Sequence, residues 1–176
     1  GSITALLEDS SQNLWVGTSA GLVRIHNGVI TAGAPGDLAQ SPINALEEDA
    51  EGSLWIGTTS AGLHRLRDGK AYTITSTDGL PSDRAQVVLH DRNGGTWTGT
   101  RDGAVHFSKN GTTTTYSTKN GLPHSSVRSL YESSDGAIWL GTELGGVVRI
   151  TGDRVQATIL DPDVPDNTIR AFAEQP

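Results

Sequence analysis

Apolar residues along the chain come in short alternating runs of about five, separated by Gly, Asn, Asp and Ser. The runs fall into groups. The first group opens with Ile3-Thr4-Ala5-Leu6-Leu7, passes Glu8-Asp9 and the polar stretch Ser10 to Asn13, and continues with Leu14-Trp15-Val16-Gly17-Thr18. After Ser19-Ala20-Gly21 comes Leu22-Val23-Arg24-Ile25, which ends on Asn27-Gly28, a two-residue hairpin signal. A weaker run from Val29 to Ala32 and a Gly/Pro-containing loop to Pro42 complete it. The same order returns from Ile43, from Ala85 and from Val127, with hairpin signals at Asp68-Gly69, Asn110-Gly111 and Gly152-Asp153. Each group predicts four strands, and Ile169 to Glu174 predicts the first strand of a fifth group.

Trp15, Trp55, Trp97 and Trp139 are the four tryptophans of the chain, spaced 40, 42 and 42 residues apart. A period of about 40–50 residues with one Trp per unit marks a β-propeller or a related array. A four-strand meander is too small to bury both faces alone, so units must stack, and a tryptophan supplies roughly 150–250 Å² of the contact. The expected fold is therefore all-β: a propeller of four four-stranded blades, about 2–40, 41–82, 83–124 and 125–166, plus the start of a fifth at about 167–176. An unfinished ring would leave an apolar face and strand edges open. The chain is thus expected to be a segment of a larger propeller, or to close its ring by oligomerisation. The start at Gly1-Ser2, with no Met and no signal peptide, reads as a mature or excised piece. In the Gly-Thr after each Trp, the glycine is expected to relax the backbone and the Thr hydroxyl to satisfy a turn amide.

Composition narrows the function. The 176 residues carry a net charge of −7 and no basic run, which argues against nucleic acid and against an anionic membrane surface. No apolar run approaches the roughly 18 residues of a membrane span. Cysteine is absent, which excludes disulfides, Cys-type zinc sites and thiol catalysis but decides nothing about compartment. The five histidines, His26, His64, His90, His106 and His124, lack metal-type spacing, and no Gly-rich stretch leads from a strand into a helix, so no metal or cofactor is expected.

The second group, Ile43-Asn44-Ala45-Leu46-Glu47-Glu48-Asp49-Ala50-Glu51-Gly52-Ser53-Leu54-Trp55-Ile56-Gly57-Thr58 followed by Gly62-Leu63-His64-Arg65-Leu66, resembles the two-component regulator propeller repeat. Asp78-Gly79-Leu80-Pro81 and Asn120-Gly121-Leu122-Pro123 are similar to the linkers of that family. The third group departs most, with His90 for the usual Glu and Thr98 inside the Trp strand. The resemblance implies the extracytoplasmic or periplasmic input region of a bacterial hybrid histidine kinase or a related receptor. It further implies a small-molecule or glycan ligand, no catalysis, and an output domain outside this segment.

Candidate chemistry divides into repeated and unrepeated residues. Glu8-Asp9 and Glu48-Asp49 could be paired catalytic carboxylates. Their recurrence in phase favours an Asp that caps the turn between first and second strands. Asp9, Asp49 and Asp91 precede their tryptophans by six residues, one more than in a sialidase-type Asp box. A basic column on the third strands, Arg24, Arg65, His106 and Arg149, is expected to pair with acidic side chains of the same or next blade. The unrepeated residues lie on the second-to-third and fourth-to-next-first loops, which share a face. Arg101, Asp102, Glu143, Arg84 and His124 are the candidate ligand-binding residues there, while Trp15, Trp55, Trp97 and Trp139 are blade core. Two rivals remain: a streptogramin-lyase-type propeller enzyme, and a protein–protein assembly propeller without ligand.

Overall fold

The computed structural model describes residues 1–33, 38, 40–152, 154–159 and 166–174 of the chain. It forms four antiparallel sheets of four strands each, and in every sheet neighbours in sequence are neighbours in space. The first blade is β1 (Ile3–Glu8), β2 (Leu14–Thr18), β3 (Gly21–His26) and β4 (Val29–Ala32). The second is β5 (Ile43–Glu48), β6 (Leu54–Thr58), β7 (Leu63–Arg67) and β8 (Lys70–Ile74). The third is β9 (Ala85–His90), β10 (Thr96–Thr100), β11 (Gly103–Phe107) and β12 (Thr113–Tyr116). The fourth is β13 (Val127–Glu132), β14 (Ile138–Thr142), β15 (Val147–Thr151) and β16 (Arg154–Ile159). Single 3-10 turns at Ser76–Asp78 and Thr118–Asn120 open the two Gly-Leu-Pro linkers.

The register explains why the basic column repeats. Trp15, Trp55, Trp97 and Trp139 stand directly opposite Arg24, Arg65, His106 and Arg149 on the third strand. The cations lie over the indoles, with Arg65 5.3 Å and Arg149 5.7 Å from the ring centroids, and the His106 ring stacks 4.3 Å from Trp97. The turn Asp completes the unit. Asp49 Oδ1 accepts from the N–H of Glu51 and Ser53, while Oδ2 accepts from Trp55 Nε1 at 2.9 Å and from Arg65 Nη2 at 2.9 Å. Asp91 does the same with Asn93, Gly95 and Trp97, and its Oδ2 lies 3.1 Å from His106 Nε2. In the fourth blade Ser133 holds the Asp position and accepts from Trp139 Nε1, while Asp135, two residues on, pairs with Arg149 at 2.8 Å. The expected pairing within a blade is thus observed for Arg65, His106 and Arg149.

Burial alone would oppose ionisation of Asp49. The Ser53 N–H, the Trp55 indole and Arg65 outweigh it and hold the carboxyl below its ordinary value of 3.8. Asp9 and Asp91 are lowered against burial in the same way.

Blades adhere through three clusters, each joining one blade to the next. Trp15 and Leu22 of the first pack on Ile43, Leu46 and Leu54 of the second. Trp55 and Leu63 meet Ala85 and Val88, and Trp97 and Ala104 meet Val127, Ile138 and Leu140. The glycine after each tryptophan serves this seam, which corrects the expectation that it relaxes the backbone. Gly17, Gly57, Gly99 and Gly141 are not among the left-handed residues. A Cβ on Gly99 would lie 2.7 Å from Val127 Cγ1, and one on Gly17 would lie 2.7 Å from Ile43 Cγ2. The Thr hydroxyls behave as expected: Thr58 Oγ1 donates to Gly62 O and accepts from the Ala61 N–H.

A second clamp runs at the far end of the first strands. Glu48 accepts from the Ser10 N–H, Glu132 from the Arg92 N–H and Glu174 from the Ser134 N–H, each reaching back to the preceding blade's turn. His90 stands at that position in the third blade, its ring 3.5 Å from Thr96 Oγ1. Residues 169–174 occupy the first-strand place of a fifth blade: Ser129 Oγ donates to Ile169 O, and Phe172 stacks on Tyr131. They carry no regular strand pairing of their own, since no second strand lies beside them among the described residues. At the other end the seam is open. Ile3 and Leu6 are 64% and 60% exposed, against 1% and 9% for their counterparts Ile43 and Leu46.

Two outcomes test this account. Gly99→Ala forces the seam apart and is expected to cost about 1–3 kcal/mol. An unchanged urea midpoint would show that the blades re-space freely. Asp49→Ala leaves an indole, a guanidinium and two backbone donors without their acceptor and is expected to cost roughly 3 kcal/mol. Because the folded pKa of Asp49 is depressed, its contribution is complete above the unfolded value and disappears as pH falls through the folded one. The gap between wild type and variant in thermal melts should therefore narrow as pH falls from 7 into the acid range below 3.8; a gap that does not change with pH would contradict it.

Candidate functional site

Each first strand contains one residue too many for its ladder. The pairing skips between Ile3 and Ala5, Ile43 and Ala45, Ala85 and Val87, and Val127 and Ser129. Thr4, Asn44, Gln86 and Arg128 are the bulged residues. A bulge leaves its residue unpaired and re-aims its side chain. Thr4 and the two amides use their hydrogens to bind the next blade: Thr4 Oγ1 donates to Ile43 O, Asn44 Nδ2 to Ala85 O, and Gln86 Nε2 to Val127 O and Ser126 Oγ. Three of these residues line one polar cavity of about 240 Å³ together with Arg84 and Arg170. Arg170 follows Ile169 as Arg128 follows Val127.

The cavity opens on the face expected to carry function. Second-to-third turns and interblade linkers meet there, as the bonds from Gly62 N–H to Asp83 O and from Gly146 N–H to Asn167 O show. Glu143, on the turn between β14 and β15, bonds Arg128 Nη2 at 2.8 Å. Hydrogen bonds from Ser126 and Arg128, with the positive field of Arg128, hold the Glu143 carboxyl below its ordinary range. The Nε atoms of Arg84 and Arg128 are shielded from solvent and have no hydrogen-bond acceptor.

Of the five residues proposed from sequence, Arg84 lines the cavity and Glu143 joins it through Arg128. His124 sits beside them, its Nδ1 accepting from the Ser126 N–H and its Cβ facing Gly145. Arg101 is exposed and tied to Arg84 through its backbone N–H, and Asp102, also exposed, bonds its own turn through Thr100 Oγ1. Neither lines the cavity. Part of the expected second loop class, residues 163–165, lies outside the described residues. Sequence reasoning missed Asn44, Gln86, Arg128 and Arg170. Part of their signal was present: the residue after each strand-opening Ile, Ala or Val is polar, and it differs among the four complete blades.

Other cavities have simpler accounts. One of about 440 Å³ lies in the seam between the first two blades, where Asp9 is bound to Trp15 and Glu48 to Ser10. Another, lined by Trp139, Phe172 and Ile159, is the apolar half-seam beyond the fourth blade. Among the described residues no group of three or more His, Asp or Glu is placed to hold a metal ion, and no helix is long and apolar enough to cross a membrane.

Residues 1–20, 37–60 and 121–143 match the family model described as two component regulator propeller. The third blade, with His90 and Thr98, falls outside those segments. No curated protein matches the sequence. Among solved structures, the chain is similar to the extracellular domain of a hybrid two component system, BT3049, from B. thetaiotaomicron, with TM-score 0.75 and 24% identity over 84% of this chain and 21% of that one. It is similar to virginiamycin B lyase from Staphylococcus aureus, with TM-score 0.70 and 17% identity over 92% of this chain and 57% of that one. A third likeness is to PorZ of Porphyromonas gingivalis, described as a surface component of the type-IX secretion system, at TM-score 0.63 and 17% identity over 85% and 24%. The chain thus spans about a fifth to somewhat over half of the proteins it resembles, and at these identities the likeness establishes the propeller fold.

Proposed function

We propose, from the three segments that match the two component regulator propeller model, that the chain is the ligand-sensing propeller module of an extracytoplasmic bacterial signalling receptor. It catalyses no reaction and takes a small molecule or glycan at the cavity lined by Asn44, Arg84, Gln86, Arg128 and Arg170. One observation carries this reading. The blades repeat their cores and turn bonds almost residue for residue, yet the bulges, which turn side chains out of the ladder, present a different polar group in each blade. A framework that repeats around positions that do not is how a binding site is grafted on a scaffold.

The reading also proposes what covers the open seam. Ile3, Leu6 and Leu14 hold the places that Trp15 and Leu22 cover in the second blade, so the fitting occupant is a further blade of the same kind. In the parent receptor it comes from the remainder of the ring, and for this chain alone from a second copy. Sedimentation of the isolated chain should give a dimer that Leu6→Glu dissociates, and a monomer at high concentration would remove the second-copy form of this proposal.

For the ligand, a thermal-shift screen of oligosaccharides and small metabolites is the direct test. At a hundred times its Kd a ligand stabilises by about 2.7 kcal/mol, a rise of roughly 5–10 °C for a chain of this size. Arg128→Ala should abolish the rise, while Arg154→Ala on β16 should preserve it. A hit indifferent to Arg128, or a library with no hit, would count against the sensor reading.

A further inference from the structure

We propose that the cavity at the first-strand bulges is an oxyanion site, in which Arg84, Arg128 and Arg170 hold a carboxylate, sulfate or phosphate group of a small ligand. The inference rests on the reading that ligand binds at this mouth, and it names the chemistry the mouth selects.

Three guanidinium groups line a space of about 240 Å³ in a chain whose net charge is −7. Like charges gathered this closely repel unless anions separate them. Among the described residues, the ion pair made by these three arginines is Arg128 with Glu143, at 2.8 Å. One carboxylate against three cations leaves the cavity positive by two charges. Elsewhere arginines are differently placed: Arg65 and Arg149 lie against the turn carboxylates Asp49 and Asp135.

The donors point the same way. Asn44 and Gln86 have committed amide hydrogens to Ala85 O, Val127 O and Ser126 Oγ, and Asn44 Oδ1 already accepts from Thr59 Oγ1. What remains for a ligand is chiefly guanidinium N–H. The Nε donors of Arg84 and Arg128 are buried from water and unpartnered, as are those of Arg24 and Arg65 on their indoles, but of these four arginines it is Arg84 and Arg128 that line this cavity, where an acceptor can enter. A planar fork of N–H groups fits two oxygens of a carboxylate, sulfate or phosphate, and such charge-assisted pairs are the strong hydrogen bonds of protein surfaces. The space falls below the roughly 300 Å³ at which pockets for drug-sized ligands begin. It therefore suits one anionic group with a small body, such as a sugar acid, or the anionic end of a longer molecule. The bulges fix the geometry: backbone pairing on either side of Arg128 holds the strand, so the arginine is presented from a rigid element.

The test is calorimetric titration of the 176-residue chain with sodium sulfate, sodium glucuronate and glucose. Sodium chloride matches the ionic strength, held at about 20 mM because exposed charges are screened at higher salt. Saturable binding of an anion and none of glucose is expected. Arg84→Gln and Arg170→Gln should each weaken it roughly tenfold, the loss of one charge-assisted pair, and the double variant should abolish it. Arg154→Gln serves as the charge-matched control and should bind as wild type does. Neither Arg84 nor Arg170 has an ion-pair partner among the described residues, so near-UV dichroism and melting without anion should be unchanged. Tighter binding of glucuronate than of sulfate assigns a carboxylate carried on a sugar, and the reverse assigns a tetrahedral anion. Absence of saturable anion binding, or binding that survives in the double variant, overturns the proposal. A neutral glycan lost with Arg128→Ala but retained in the Arg84/Arg170 double variant would overturn the oxyanion site while leaving the sensor reading in place.

Discussion

The bond from the tryptophan indole N–H to an acceptor in the preceding turn is the interaction on which each blade depends. It places a large apolar ring at the seam while satisfying its one polar atom, so the ring is buried without an orphaned donor. The acceptor, Asp9, Asp49 or Asp91, also ties down the backbone of the turn and, in the second and third blades, lies against the side chain that stacks on the ring, Arg65 or His106. The fourth blade shows that the function matters more than the residue. Ser133 receives the indole, and Asp135 supplies the charge for Arg149 from two positions further on.

Interblade adhesion depends in turn on what is missing from the strand beyond the tryptophan. The glycine brings two blades to van der Waals contact at the inner end of the seam, and the Glu clamps of β5, β13 and the final segment secure the outer end. Just beyond the residue opposite that glycine, on the side away from the Glu, the first strand carries an extra residue, which the bulge absorbs. The site is therefore a by-product of the packing scheme: the same register that seats the tryptophan forces the second residue of each first strand out of the ladder. Once there, the residue is free of the core's demands, and its identity can change from blade to blade without cost to the frame. Thr4, Asn44, Gln86 and Arg128 show that freedom.

The positive charge at this mouth stands apart from the acidic balance of the chain. Arginines that serve the framework lie on indoles and against turn carboxylates. At the mouth Arg128 pairs with Glu143, while Arg84 and Arg170 have no ion-pair partner among the described residues. The proposed site is distinct from the space of about 440 Å³, which lies in the seam between the first two blades.

The sequence by itself determined the fold. A tryptophan every 40–42 residues, hairpin signals such as Asn27-Gly28 and Asp68-Gly69, and alternation within each run fix the strands, because these are local steric and burial preferences that repeat in phase. It also determined that Asp49 and its counterparts are turn caps and that Arg65, His106 and Arg149 pair within their blades. It pointed to Arg84, which lines the polar cavity, and to Glu143, which pairs with Arg128, but not to Asn44, Gln86, Arg128 or Arg170, because a polar residue near a strand start is not by itself a sign of a bulge. Tertiary structure decided that the Gly after Trp is a matter of space and not of backbone freedom. It also decided that residues from three blades and the segment beyond them converge on one cavity. Both depend on how closely the next blade approaches, a distance set by side chains some 40 positions away and legible only once the blades are packed.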